Sequence, residues 1–413
     1  MAERVIFHID VNSAFLSWTA CYRCRVLGQE LDLRAVPSVV ASQADVRRSI
    51  VLAKSIPAKK FGIKTGEPLG MARDKCPGLL VAEPDYGLFL SASKGLMDLL
   101  RTVSPVVEQF SIDEAWVDMT GTERLYGSPM LAGRWLADRI KQELGFTVSI
   151  GVSANKILAK MAGELKKPDG VTSIFPWEIE EKLWPLPVQE LFFVGRATEK
   201  KLRRMGITTI GQLAQMDPVF LRRKLHQHGE TIWHLANGRC AEAVTAELPA
   251  QKGYGNSMTT PWDVTDLATA QQVLLNLCET VAARMRRDGQ SGRQIGVHLR
   301  TSQFQPLAMQ RQLPSATNVT VELYQAACAV LAELWDQETP LRQLGVQVGK
   351  VSEEPYRQFS LFDTRRAERL ERLDAAVDAI RGKYGDEALL RASMLHFENS
   401  RKGAQAVAFG VHL

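Results

Sequence analysis

No apolar run among the 413 residues is long enough to cross a bilayer. The amino terminus lacks the basic, apolar, small-residue order of a leader. Met1-Ala2-Glu3-Arg4 passes directly into β-prone residues, so a cytoplasmic protein is expected. Cysteine is scarce. Six are scattered at Cys21, Cys24, Cys76, Cys240, Cys278 and Cys328, and the CxxC pair Cys21 and Cys24 has no second pair to complete a zinc site. Reduced thiols are expected, which excludes a disulfide-stapled fold. A strong excess of one charge is also missing: a net charge of +5 and a pI near 8.8 permit a polyanionic partner without requiring one. No internal repeat or low-complexity tract is apparent. The chain is too long for one core and implies three or more domains, with 45% hydrophobic and 23% charged residues.

What is present is organised around acids. Val5-Ile6-Phe7-His8-Ile9 reads as a central strand that delivers Asp10 at its carboxyl end. A second run, Val106 to Phe110, meets Ala115-Trp116-Val117-Asp118 across Ser111-Ile112-Asp113-Glu114, a hairpin pattern. Adjacent acids in a regular strand point apart, whereas a bend can turn both toward one point. Three carboxylates on neighbouring strands could then hold two magnesium ions, which prefer hard oxygen ligands. On the acids alone, a solvated turn and a helix N-cap remain open readings.

Helical period follows Asp10 over 11–18, with Phe15 about one turn in. Residues 50–66 carry four lysines among small residues, either a triphosphate-facing segment or a solvated basic helix. Helices are expected over 92–103 and 131–144, and a buried strand over 147–150. Gly151 to Ala162 enters a helix from a small-residue turn, where free amides attract phosphate and Lys160 could reach the same anion. Lys166-Lys167-Pro168-Asp169-Gly170 stops that helix. Beyond residue 176 a helix, a turn at Gly206, and a second helix form a helix-hairpin-helix pattern among Lys200, Lys201, Arg203 and Arg204, suited to DNA phosphates. Residues 253–351 alternate strand and helix as an independent α+β domain, with Arg284, Arg286, Arg287 and Arg293 clustered and Arg300 on a strand. A charged helix follows, in which Leu370, Leu373, Val377 and Ile380 predict one apolar face.

Asp10 with Phe15, Lys59-Lys60-Phe61-Gly62, Ser111-Ile112-Asp113-Glu114-Ala115, Gly151 to Lys156 with Lys160, Lys167-Pro168-Asp169-Gly170 and Val194-Gly195 occur in one order. In that order they resemble the Y-family (translesion) DNA polymerases of the bacterial DinB and UmuC type, over roughly residues 4–363. The resemblance implies an α+β multidomain fold of right-hand polymerase architecture. The divisions are palm 1–30 and 86–175, fingers 31–85, helix-hairpin-helix thumb 176–240, linker 241–252, α+β little finger 253–351, and a tail over 352–413.

It further implies template-directed DNA synthesis past damaged bases in an SOS-type DNA damage response, without proofreading. Asp10, Asp113 and Glu114, with the Val11 carbonyl, would bind two magnesium ions, manganese being an alternative. Phe15 would be a steric gate against ribose. Ser13, Ala14, Phe15, Lys59 and Lys160 would contact the incoming deoxynucleoside triphosphate, and Leu52 and Ile56 the nascent base pair. Val194, Gly195, Arg196, Lys200, Arg203, Arg204, Arg284, Arg286, Arg287 and Arg300 would hold primer–template DNA. Gln358, Ser360, Leu361 and Phe362 resemble a sliding-clamp peptide. A monomer near the nucleoid, with no membrane contact, is expected. Ala14, Ala41 and Ala53 suggest an open, tolerant site. The chain departs from the family pattern at Asn12, where a second aspartate is common, at Ser13 and Ala14, and at Ile56 and Lys59, where tyrosine and arginine are common. The alternatives are a catalytically silent scaffold of a translesion assembly, which would lack the acids, and a nucleotide cyclase, which would need neither thumb nor clamp peptide.

Overall fold

Strand β1 (Ile6–Val11) is buried along nearly its whole length, His8 included, as the central strand of its sheet. The computed structural model describes residues 4–43, 49–247, 250–353 and 364–392. It divides into two units that part after Leu248.

In the first unit, helix α1 (Ala14–Arg25) leaves β1 and buries Leu16, Trp18 and Ala20. A small lobe follows, made of β2 (Ser38–Val40), β3 (Ala53–Lys54), α2 (Ile56–Lys60), α3 (Leu69–Lys75) and β4 (Leu80–Ala82), with its sheet in the order β3-β2-β4. This lobe has its own core around Val39, Val51, Ile63 and Leu69. Helix α4 (Tyr86–Arg101) starts earlier than its apolar period indicated, because Asp85 accepts a hydrogen bond from the Leu88 N–H and caps it. The chain then returns to the first sheet through β5 (Val107–Gln109) and β6 (Glu114–Asp118), the expected hairpin. After α5 (Glu123–Tyr126) and α6 (Pro129–Leu144) come β7 (Val148–Ser153), α7 (Lys156–Glu164) and β8 (Val171–Ser173). The completed sheet runs β5-β6-β1-β7-β8, with β1 antiparallel to β6 and β7.

Strand β7 runs three residues beyond the predicted end, so Gly151 lies in the strand and not in a turn. A Cβ at Gly151 would meet the Ala159 carbonyl oxygen at 1.8 Å, so this glycine lets α7 lie directly against the sheet. The turn is Ala154-Asn155, and the Asn155 side chain caps α7 by accepting from the Leu158 N–H at 2.9 Å.

Helices α8 (Arg196–Arg204), α9 (Ile210–Ala214), α10 (Pro218–Leu225) and α11 (Gln227–Ala236) form a bundle over Leu202, Leu213, Leu221 and Ile232. The turn between α8 and α9 passes through Gly206 at φ 80, as the helix-hairpin-helix pattern predicts. The start of the expected linker is not free chain: Val244 packs with Ile6, Trp116 and Ala159, and the Thr245 N–H donates to Glu108 at 3.0 Å.

The second unit comprises β9 (Gly253–Val264), α12 (Leu267–Arg287), β10 (Ser291–Thr301), β11 (Pro306–Thr317), α13 (Thr320–Leu334), β12 (Leu341–Ser352) and α14 (Thr364–Tyr384). Its antiparallel sheet is ordered β11-β10-β12-β9. Leu274, Leu277 and Val281 of α12 and Leu323 and Val330 of α13 bury its inner face. The apolar-face prediction for α14 is corrected. Leu373 and Ile380 are 49% and 40% exposed, while Asp374 is 4% exposed and accepts from the Thr320 N–H and Arg286. The helix is held by ion pairs, a pairing that hydrophobic period cannot register. Among the described residues no helix is long and apolar enough to cross a membrane.

Candidate active site

Asp10 and Glu114 face each other as Cα partners across β1 and β6. The hairpin closes tightly, with the N–H groups of Phe110 and Ser111 both donating to the Glu114 carbonyl. The Val11 N–H donates to the Asp113 carbonyl at 3.1 Å, which brings Asp113 to the same sheet end. The Asp113 carboxylate is held by the Ser111 hydroxyl at 2.5 Å, and among the described residues no group of three His, Cys, Asp or Glu is gathered closely enough to hold an ion. Sequence reasoning brought the strands together correctly, but it could not foresee Ser111 as a competing donor.

Two lysines sit on the pair. Lys160 donates to Glu114 at 2.8 Å, and Lys167 donates to Asp10 at 2.8 Å. Lys160 is buried, with its ammonium over the rings of Phe110 and Phe192 at 5.1 and 5.2 Å and 3.5 Å from His8 Nε2. Its charge is therefore committed to Glu114, which corrects the expectation that it faces a triphosphate. Lys167, read from the sequence as part of a helix stop and of a motif shared with the family but given no role of its own, is the more exposed of the two at 31% of its side chain. His8 lies beneath, 3.8 Å from Glu114, and its Nδ1 has no hydrogen-bond partner among the described residues.

These contacts set the charges. Burial pushes the Asp10 carboxyl up to about 7, helped by the neighbouring Glu114 and opposed by Lys167. Burial acts in the same sense on Glu114, but hydrogen bonds to His8, Lys160 and Asp10 outweigh it and hold that carboxyl below its ordinary range. Desolvation lowers the His8 pKa and keeps the ring neutral near pH 7. One carboxylate is thus firmly ionised while its partner is poised near neutrality.

Around the pair, Ser13 takes a left-handed conformation at φ 50 and turns the chain into α1. Phe15 stacks on Phe89 with ring centroids 4.5 Å apart, so its ring is fixed at the first turn. Lys59 and Ile56 are exposed on α2, and Leu52 is half-buried with its N–H on the Val40 carbonyl. Ala14, Ala41 and Ala53 are buried in the two cores, so they fill interior space and do not open a pocket. In the bundle, Val194 is buried while Gly195, Arg196, Lys200, Arg203 and Arg204 are exposed, and Arg203 pairs with Glu199.

In the second unit Arg287 and Arg300 are exposed. Arg284 is half-buried against the Gly255 carbonyl and the Tyr254 ring. Arg286 is not placed for DNA: its guanidinium is held by Asp374, Asp378 and the Asn318 carbonyl. Gln358, Ser360, Leu361 and Phe362 lie outside the described residues.

A sheet bearing paired acids, a small lobe, a helix-hairpin-helix bundle and a separate α+β unit together define a right-hand polymerase. Its fold is similar to a solved Y-family DNA polymerase chimera, with a TM-score of 0.70 and 21% identity over 85% of this chain and 100% of that one. Family models match at residues 9–164 (impB/mucB/samB family), 177–207 (IMS family HHH motif) and 251–361 (impB/mucB/samB family C-terminal domain). A protein of Clostridium acetobutylicum named DNA polymerase IV is 42% identical, covering 96% of this chain and 99% of that one. DNA polymerase IV of Acetivibrio thermocellus is 36% identical over 95% and 98%. DNA polymerase IV 2 of Bacillus subtilis is 32% identical over 96% and 95%. The chain belongs to the impB/mucB/samB family and is a Y-family DNA polymerase.

Proposed function

We propose that this protein extends primers on damaged templates by two-metal nucleotidyl transfer, without proofreading, and is recruited by a sliding clamp. The observation that carries the reading is the Asp10–Glu114 pair at one end of β1 and β6, flanked by Asp113 and the Val11 backbone. The donor set suits magnesium or manganese: hard carboxylate and carbonyl oxygens, with lysines already balancing the buried charge. Asp10, Glu114 and the Val11 carbonyl would hold the ions, with Asp113 exchanging Ser111 for the same task. Bound there, divalent ions would activate the primer hydroxyl and neutralise the leaving pyrophosphate.

The chain's own residues supply the rest. Lys160 keeps Glu114 ionised and in place. Lys167, freed from Asp10, would face the triphosphate together with Lys59 and the α1 amino terminus at Ser13, Ala14 and Phe15. The fixed ring of Phe15 would fill the space that a ribose hydroxyl needs, and Leu52 and Ile56 would cover the nascent base pair. Exposed cations of the bundle and of the second unit, Arg196, Lys200, Arg204, Arg287 and Arg300, would track the phosphates of primer–template DNA. Palm 1–30 and 86–175, fingers 31–85, thumb 176–240 and little finger 253–351 are the corresponding divisions, in a monomer near the nucleoid.

The test is primer extension on intact and lesion-bearing templates with wild type and Phe15→Ala. Wild type should pass the lesion, and the variant should incorporate ribonucleotides at least about tenfold more readily. Failure at every lesion, or unchanged sugar selection, would reject the corresponding half of the reading.

A further inference from the structure

Asn12 stands one residue past Val11, and every polar atom it carries is engaged. Its N–H donates to the Thr147 carbonyl at 3.1 Å, and its own carbonyl accepts from the Ser17 hydroxyl at 2.6 Å. With the carboxamide oriented to satisfy all its neighbours, the nitrogen donates to Ser149 Oγ at 2.8 Å. The oxygen accepts from Thr147 Oγ1 at 3.0 Å and from the Asp169 N–H at 3.1 Å. One half-buried side chain thus ties the end of β1 to β7 and to the loop carrying Lys167.

From this side the loop is otherwise held only through the Lys167 ammonium, which donates to Asp10 at 2.8 Å and to Glu164 at 2.6 Å, among the described residues. Asp169 sits at φ 57, in the left-handed region that is uncommon for non-glycine residues but that aspartate tolerates better than most. Its carboxylate reaches outward to Lys141 at 3.6 Å, an exposed pair of small value. On the far side the Gly170 carbonyl accepts from the Ile150 N–H at 2.9 Å, and a Cβ at Gly170 would collide with the Lys166 carbonyl oxygen at 2.1 Å. The loop is therefore pinned by Ile150 behind and by Asn12 in front, and Lys167 is two residues from the Asn12 contact.

We infer that Asn12 is a positioning residue: its carboxamide oxygen clamps the Asp169 N–H and so holds the Lys167 ammonium in register with Asp10. The effect acts through Lys167 and involves no contact with substrate. It also explains how the chain does without an aspartate at this position. Either side chain accepts from Thr147 and the Asp169 N–H; the carboxamide donates to the Ser149 hydroxyl, and a carboxylate would accept from it.

The inference rests on the nucleotidyl-transfer reading for its kinetic arm but not for its structural arm, so the two are separable. The experiment measures amide exchange of residues 166–171 in the full chain, alongside kcat and nucleotide KM in primer extension, for wild type, Asn12→Ala and Asn12→Asp. In Asn12→Ala the loop should exchange about tenfold faster and the nucleotide KM should rise about tenfold, with kcat changed less. Asn12→Asp should behave as wild type in both, because the Ser149 hydroxyl can turn and donate. If Asn12→Ala does not fold, Asn12→Ser, whose oxygen is too short to reach Asp169, must give the same loop phenotype. Wild-type exchange in Asn12→Ala or Asn12→Ser, or faster exchange with an unaltered KM, would overturn the assignment. So would an Asn12→Asp variant as impaired as Asn12→Ala. Absence of extension by wild type would instead count against the proposed function and leave the exchange result to judge the clamp.

Discussion

Asp10 is pushed up to about 7 chiefly by burial, and this makes it a liability to the fold at neutral pH. A raised folded pKa contributes stability that is complete below the unfolded value of about 4 and is lost as pH rises through about 7. Asn is neutral at every pH. Thermal unfolding of wild type and Asp10→Asn in a metal chelator should therefore show the variant gaining about 1–3 kcal/mol relative to wild type between pH 5 and pH 8. An equal difference at both values would mean that Asp10 is not desolvated. At this scale the sequence was legible where chemistry and strand position coincide, as at Asp10 and Glu114. It was not legible where a partner arrives from a distant loop. Lys167 lies 157 positions from Asp10, and its tract reads as a helix stop and a family motif without showing which group the lysine meets. Lys160 was recognised as significant, but its direction depended on how closely α7 approaches the sheet.

That approach belongs to the elements. Gly151 in β7 has the Ala159 carbonyl where a methyl would sit, so Gly151→Ala should force α7 off the sheet. The expected cost is about 3 kcal/mol by denaturant unfolding, with loss of the Lys160–Glu114 contact. A neutral variant would show that the helix can shift freely. Helix α14 makes the complementary point. Its leucines suggested an apolar face, yet it is held by Arg286 to Asp374 and Asp378 and by Arg381 to Glu279. Arg286→Ala leaves Asp374 buried without that charge partner and should destabilise the second unit by about 3 kcal/mol. It should leave the salt dependence of DNA binding unchanged, whereas Arg300→Ala should reduce the slope by about one phosphate contact. A lower slope in Arg286→Ala would return that residue to the DNA-facing set. Hydrophobic period is a sound guide for α12, whose Leu274, Leu277 and Val281 face the core. It failed for α14, where buried charge pairs decide.

For the whole molecule, the order of the divisions was legible because each carries its own apolar core and its own turn chemistry. The split after Leu248 falls inside the expected linker, although its early part, at Val244 and Thr245, is bound to the first sheet by contacts with residues far earlier in the chain. Under the proposed function the Asp10–Glu114 pair, and not the fold alone, performs synthesis. The most direct measurement is primer extension by wild type and Asp10→Ala at matched DNA occupancy, with binding to the same primer–template followed in parallel. Extension should fall by at least about a hundredfold while DNA affinity stays within about twofold. Equal extension by the two proteins would contradict it.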